Sequence, residues 1–463
     1  MRRLLTWALA VLGGLLFWSG LAWADSLAVL HPVERPAYSS DWRGSTSRDT
    51  RPGGMSFVIL RTGDNGCAPL GAAGAQATFW QMLPLHTVSP SGEGTETGIF
   101  HEVLVPRSAA TCSMSSLVLV EWQAETEGVL VFRQGDSEVL VRQKIVERRP
   151  GPPLPFFVGI NPANLPRGHC PDGGSCPSQA GLFAPYADLL TAHGLQPIQG
   201  FVKFPPIRNG RLDLDAGPES GSFRETVMAH AIHGAVGFPR ATRYADQVAY
   251  LRALQRTVIE EGLQGRAWVY AADEPVDIGA LSGQLRLYRQ HAPDVRVMVT
   301  TGRDSRLDGL VDIHAPVFNR LMSSRHPGLR DYGNTGLWTY LSCMGSCGPN
   351  RAEQPRAARW PGPETDLADL LIDRPAERLF RFFRTVSGRV DGVLYYEATE
   401  TYRLAPAGVD ILADVWNFGG NGDGLLVFPG RPGEFGLTGH TALPSLRLKL
   451  LRHALQNAWA RVQ

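Results

Sequence analysis

The chain has 463 residues, with 45 Lys and Arg against 44 Asp and Glu and a formal charge of +1. That balance excludes a protein drawn to nucleic acid by its overall charge. The length exceeds the ~250 to 300 residues at which one hydrophobic core stops growing, so two domains are expected.

Arg2 and Arg3, an apolar run from Leu4 to Leu21, and Ala22-Trp23-Ala24 form a signal-peptide pattern over residues 1–24. Gly13, Gly14 and Ser19 interrupt the run, and no second long apolar segment follows, so no stable membrane anchor is expected after cleavage. The expected location is secreted or periplasmic, and loss of Arg2 and Arg3 takes the formal charge from +1 to −1. All six cysteines lie beyond the cut, an even count that favours disulfides in an oxidising compartment. Proximity along the chain pairs Cys67 with Cys112, Cys170 with Cys176 and Cys343 with Cys347. The alternative for "HCPDGGSC" is a metal held by His169, Cys170, Asp172 and Cys176, but no second Cys/His cluster has zinc-ligand spacing. No metal and no cofactor is expected.

Residues 25–149 show short alternating runs divided by turn residues, such as "SFVILRTGDNG" and "ATFWQMLP", and read as an antiparallel β-sandwich. Val129 to Phe132 and Val139 to Val141 flank Gln134-Gly135-Asp136, a hairpin signal. Pro150, Pro152, Pro153 and Pro155 then mark a stiff linker over 150–155.

From 156 to 463 strand-like runs alternate with amphipathic helical segments, the pattern of parallel strands joined by crossover helices. Seven strands are predicted: "FFVGINP" (156–162), "PIQGFVKF" (197–204), "RAWVYAADEP" (266–275), "VRVMVTTG" (295–302), "VDIHAPVF" (311–318), "GLWTYLSC" (336–343) and "GVLYYEA" (392–398). An eighth is expected within 223–240. Helices are predicted over 244–261, 278–291 and 376–387, the last opened by Asp373 and Pro375. Eight such units fit an α/β fold of the (β/α)8 TIM-like barrel kind. Neither G-x-G-x-x-G after the first strand nor G-x-x-x-x-G-K-[ST] anywhere argues for an open nucleotide-binding sheet.

A barrel of this kind builds its site on the loops that follow the strands. That rule collects Asn161 and Asn164, Lys203, Asp273 and Glu274, His314, Trp338 and Tyr340, then Tyr395, Tyr396, Glu397 and Glu400. Trp360, in the long proline-rich connection after Cys347, and Trp416 are further aromatic candidates. Acids, amides and aromatic faces together are the chemistry of a carbohydrate site. Two adjacent carboxylates hinder each other's ionisation, so one is suited to hold a proton as a general acid while the other stays charged. Strand alternation aims them at opposite faces, unless the strand ends there and Pro275 turns the chain. The bland alternative is that Asp273 or Glu274 caps the next helix. His230 and His233 in "MAHAIHG" lack a third ligand and read as packing, and "GNGDG" (420–424) reads as a tight turn, not a calcium loop.

"NGDGLLVFPG" followed by "ALPSLRLKLLRHAL", with "YAADEP", "GLWTYLSC" and "GVLYYEA" in order before them, resembles the catalytic domain of glycoside hydrolase family 123 and the related domain of unknown function 4091. The resemblance covers most of 156–455. Its departures are phenylalanine in "VFPG" where tyrosine is usual, and a final helix without the acidic aromatic ending. It implies a substrate-assisted exo-β-N-acetylhexosaminidase, N-acetylgalactosaminidase-like, with Glu274 as general acid/base and Asp273 orienting the 2-acetamido group. Tyr340 or Tyr395 is then the donor to that group. Two other readings stay open: a retaining glycosidase using Glu274 with Glu397 or Glu400, and a non-catalytic glycan-binding protein of the envelope. In each the partner is a glycan or glycoconjugate.

Overall fold

The computed structural model describes residues 28–30, 47–50, 54–62, 67–87, 98–145, 154–198, 201–217, 221–321, 332, 335–342, 370–372, 376–404, 411, 415–417 and 420–457. The expected signal peptide (1–24), the Cys343–Cys347 pair and Trp360 lie outside these residues. The chain divides into two units, one drawn from residues within 1–147 and the other dominated by 148–463, which also takes in 84–103.

In the first unit, strands Gly54–Arg61 and Leu117–Ala124 pair antiparallel within one sheet, while Gly128–Gln134 and Ser137–Ile145 form the heart of a second. Alternation sends Val58, Leu60, Val118, Val120 and Trp122 from the first sheet against Leu130, Phe132 and Val141 from the second, which makes a sandwich core. The expected hairpin is present: Gln134 faces Ser137 across a tight turn in which Gly135 has φ +57°. One contact departs from an all-antiparallel arrangement, since Ser47–Thr50 pairs parallel with Ser137–Ile145. Cys67 and Cys112 are joined, their Cα atoms 4.9 Å apart.

The second unit contains the eight predicted parallel strands: β1 (Phe156–Gly159), β2 (Leu195–Ile198), β3 (Val236–Phe238), β4 (Ala267–Ala272), β5 (Arg296–Val299), β6 (Ile313–His314), β7 (Gly336–Leu341) and β8 (Gly392–Tyr395). Their order is β2-β1-β8-β7-β6-β5-β4-β3, a nearly closed barrel whose open seam lies between β2 and β3. A side chain bridges that seam. The Gln196 amide donates to Ala235 O at 2.6 Å and accepts from His233 N at 3.0 Å, doing for two strands what a peptide group does elsewhere in the ladder.

Strand β4 shows why the sequence builds this wall. Ala267, Val269 and Ala271 face outward and pack with Leu251, Leu254 and Val258 of helix Gln247–Glu260 and with Leu281 and Leu285 of helix Ile278–His291. Trp268 and Tyr270 face inward, against Phe157, Ile198, Met298 and Trp338. Two indoles fit inside because their ladder partners are glycines. A Cβ on Gly237 would come within 3.1 Å of the Trp268 ring, and one on Gly392 within 2.9 Å of Trp338. Phe157 stacks on Trp338 with ring centroids 4.3 Å apart.

The helices end where the sequence signals place them to within three residues: Gln247–Glu260, Ile278–His291 and Ala376–Val386. Asp246 and Asp277 cap the first two by accepting from Ala249 N and Ala280 N, each at 2.9 Å. The cap of the helix after β4 is therefore Asp277, not Asp273 or Glu274.

Candidate active site

The strands' C-terminal ends open on a cleft of about 570 Å3. Its floor includes Trp268 and Leu394. Asp273, Glu274, Tyr270, Tyr340, Asn161, Tyr396, Glu397 and Glu400 supply its polar walls, and Phe201, Phe204, Arg240 and Arg243 form the side above β2 and β3. Trp268 is almost fully buried, and its Nε1 has no hydrogen-bond partner among the described residues. A buried N–H of this kind is costly unless a ligand completes it.

Asp273 and Glu274 reach the cleft by two backbone departures. The β4–β5 register shifts between Tyr270 and Ala272, a bulge that inserts an extra residue and ends strict alternation. Glu274 then adopts φ +39°, a left-handed conformation that a residue with a Cβ adopts at a cost. The two carboxylates are held differently. Asp273 Oδ1 accepts from Tyr270 Oη at 2.5 Å and from Thr300 Oγ1 at 2.9 Å. Burial first, then the Asp273 charge, raises the Tyr270 phenol well above its ordinary range, so it stays a donor. Glu274 receives a hydrogen bond from Tyr340 Oη on Oε1, and its backbone N–H donates to Thr300 Oγ1 at 2.7 Å. Thr300, one residue beyond β5, therefore ties both acids together. Oδ2 of Asp273 and Oε2 of Glu274 have no donor among the described residues.

Across the cleft, Glu397 follows β8 by two residues. Its hydrogen bonds among the described residues fall on Oε1, from Thr399 Oγ1 (2.8 Å), Thr399 N (3.0 Å) and Asn161 N (3.3 Å). Burial outweighs these bonds and pushes its carboxyl up to about 7, with Glu400 adding repulsion. The Tyr396–Glu397 backbone presses on β1, where a Cβ on Gly159 would lie 1.8 Å from Tyr396 O, so only glycine permits this approach. Glu400 is engaged by Arg403.

Among the predicted site residues, Asn161, Asp273, Glu274, Tyr340, Tyr396, Glu397 and Glu400 line the same cleft. Five others fall elsewhere, the first of them Asn164, which is buried in the turn Pro162–Asn164 after β1. Lys203 is exposed with its side chain against Gly217, because β2 ends at Ile198, earlier than predicted. Trp338 is 4% exposed in the barrel core. Tyr395 is fully buried and its hydroxyl accepts from Gly424 N at 2.7 Å, which anchors the NGDG turn beneath β8. His314 is buried with its ring tilted against Tyr332. The side chain of Trp416, on the short strand Trp416–Asn417, lies outside the described set. Sequence reasoning missed Tyr270, Thr300, Phe201, Phe204, Arg240 and Arg243. The "YAADE" spacing held a signal for Tyr270, which stands three residues before Asp273 on the inward face.

"HCPDGGSC" is closed by a Cys170–Cys176 disulfide, Cα atoms 5.9 Å apart, so its sulfurs are not metal ligands. The neighbouring His169 is pushed down to about 4, chiefly by burial. No group of three or more His, Cys, Asp or Glu among the described residues could hold a metal, and none of the described helices is long and apolar enough to cross a membrane.

No protein-family model and no curated protein matches the chain. Solved structures similar to it include a candidate alpha-galactosidase from Bacteroides fragilis, at 11% identity and TM-score 0.22 over 63% of this chain and 59% of that one. A candidate alpha-galactosidase/melibiase from the same organism aligns at 10% and 0.22, covering 64% and 59%. An FMN-binding beta-glucuronidase from Facaelibacterium prausnitzii aligns at 8% and 0.31, covering 95% and 62%. The chain spans about three fifths of the length of each.

Proposed function

We propose that the protein is an exported glycoside hydrolase of the family 123 kind, an exo-β-N-acetylhexosaminidase working through the substrate's own acetamido group. The observation that carries this reading is the Asp273–Glu274 pair, lifted out of strand alternation by a bulge and a left-handed turn and aimed into an aromatic cleft. A pair that served only to start a helix would need neither device, and Asp277 already fills that role.

Asp273 suits the charged partner. Two hydroxyls fix Oδ1, which leaves Oδ2 to accept from the acetamide N–H and swing the carbonyl oxygen under the anomeric carbon. Glu274 gives its proton to the departing glycosidic oxygen and later takes one from the water that opens the oxazoline. Tyr340, poised on Glu274, is the phenol in reach of the acetamido group, and buried Tyr395 is not. A second reading has one specific observation behind it. Glu397 lines the same cleft with its carboxyl pushed up to about 7 by burial, as a second acid/base would require.

The test is turnover of aryl β-N-acetylgalactosaminide, β-N-acetylglucosaminide and the matching sugars without the acetamido group. Release from acetamido sugars alone supports the proposal, and equal release from both kinds refutes acetamido participation.

A further inference from the structure

The cleft carries a feature that acid/base chemistry does not use. Arg240 and Arg243 line it, yet neither makes an ion pair or side-chain hydrogen bond among the described residues, although Asp273, Glu274, Glu397 and Glu400 line the same space. Across the cleft, by contrast, Arg403 is committed to Glu400. Arg240 leaves β3 two residues past Phe238, beside β4, whose end bears the acid pair.

The segment bearing both arginines is rigidly built. Fully buried Tyr250 donates its hydroxyl to Pro239 O, and fully buried Tyr288 accepts from Ala241 N at 2.7 Å. Ala241–Arg243 forms a 3-10 turn over buried Ala241. Two guanidinium groups carried on a pinned turn that lines the cleft suit a carboxylate or sulfate. Phe201 and Phe204, ring centroids 5.8 Å apart, stand on the same side and offer faces to the adjoining sugar.

We infer that Arg240 and Arg243 form an anion subsite, and that the glycan bound in this cleft carries a carboxylate or sulfate on the sugar next to the one being processed. This rests on the reading of the cleft as a sugar site. It adds that the substrate is an acidic glycan.

Calorimetric titration of the full chain with three tetrasaccharides that end in β-N-acetylgalactosamine tests it: chondroitin with its carboxyls reduced to alcohols, unsulfated chondroitin, and sulfated chondroitin. The charged forms should bind about tenfold tighter than the neutral one at low salt, with the advantage shrinking as salt rises. A gain already present in unsulfated chondroitin assigns the subsite to the carboxylate of the neighbouring uronic acid, and a gain confined to the sulfated form, whose sulfates sit on the N-acetylgalactosamine residues, overturns an anion on the neighbouring sugar. In the Arg240→Gln/Arg243→Gln double variant the ratio of charged to neutral affinity should fall to near one, and Arg240→Lys should recover part of it. Equal binding of all three, no binding of any, or an undiminished ratio in the double variant overturns the subsite. Sugar release is followed in the same samples. Charge preference without hydrolysis sinks the hydrolase reading and leaves the subsite standing, and hydrolysis without charge preference does the reverse.

Discussion

Two strand ends face each other across the cleft, and they hold their carboxylates by opposite means. At the end of β4, Asp273 and Glu274 are braced by side-chain hydroxyls from three strand ends, Tyr270, Thr300 and Tyr340, on a backbone forced out of register. Beyond β8, Glu397 sits on donors from neighbouring Thr399 and from Asn161 at the end of β1, and burial holds its proton to about pH 7. The first arrangement fixes direction and costs backbone strain. The second sets protonation and costs solvation. Catalysis through Asp273 and Glu274 demands the first, whereas a two-carboxylate mechanism demands that Glu397 also bond to or protonate the sugar.

The largest effect expected is at Glu274. Glu274→Gln removes the proton donor and should lower turnover on the order of 10²- to 10⁴-fold for poor leaving groups, with activated aryl glycosides suffering far less, as kcat for a matched series will show. Asp273→Asn should slow good and poor leaving groups alike, by about 10²-fold, because oxazoline formation accompanies departure of either. Full activity of Asp273→Asn on an N-acetylated substrate, together with an inactive Glu397→Gln, would transfer the chemistry to the β8 side.

Thr300→Val cuts the tie between the two acids. Losing hydrogen bonds to a charged group costs roughly 1.5 to 3 kcal/mol, so kcat/KM should fall about tenfold or somewhat more with the fold kept. Unchanged kinetics would show that Tyr270 alone positions Asp273.

Glu397→Gln should cost less than about tenfold in rate on the proposed mechanism. Its clearer mark is on stability. A carboxyl raised from 4.5 to about 7 in the folded state favours folding in its protonated form, so that contribution is complete below pH 4.5 and is lost as pH climbs through 7. Replacing it with Gln should flatten the stability profile between those limits by at most ~3 kcal/mol, measured by denaturant unfolding across pH. The smallest effect is at Cys170–Cys176. The loop is short, so Cys170→Ser/Cys176→Ser should cost less than the ~3 kcal/mol of a 15-residue ring, read as a modest fall in Tm.

The sequence by itself determined the eight-strand count, the alternation that makes β4 a two-faced wall, the helices after β3 and β4, and the presence of acids at strand ends. These follow from periods of 2 and 3.6 and from caps, which neighbouring residues carry along the chain. Even the short strand β3 was expected within 223–240, though Arg240 and Arg243 at its end were not seen as a pair. Only the tertiary structure decided which aromatic residues face the cleft. Trp338 and Tyr340 share the inward face of β7, yet Trp338 stays in the barrel core while Tyr340 reaches the cleft, and Tyr395 is buried against the NGDG turn on the other face of β8. The Gln196 seam, Thr300 joining two acids and the approach of Gly159 to Tyr396 likewise depend on atoms 26 to 237 residues apart in sequence. Local pattern fixes which face a side chain takes on its own strand. Depth along the barrel axis, and the bulge that breaks the alternation at Asp273, are set by how the neighbouring strands pack and pair.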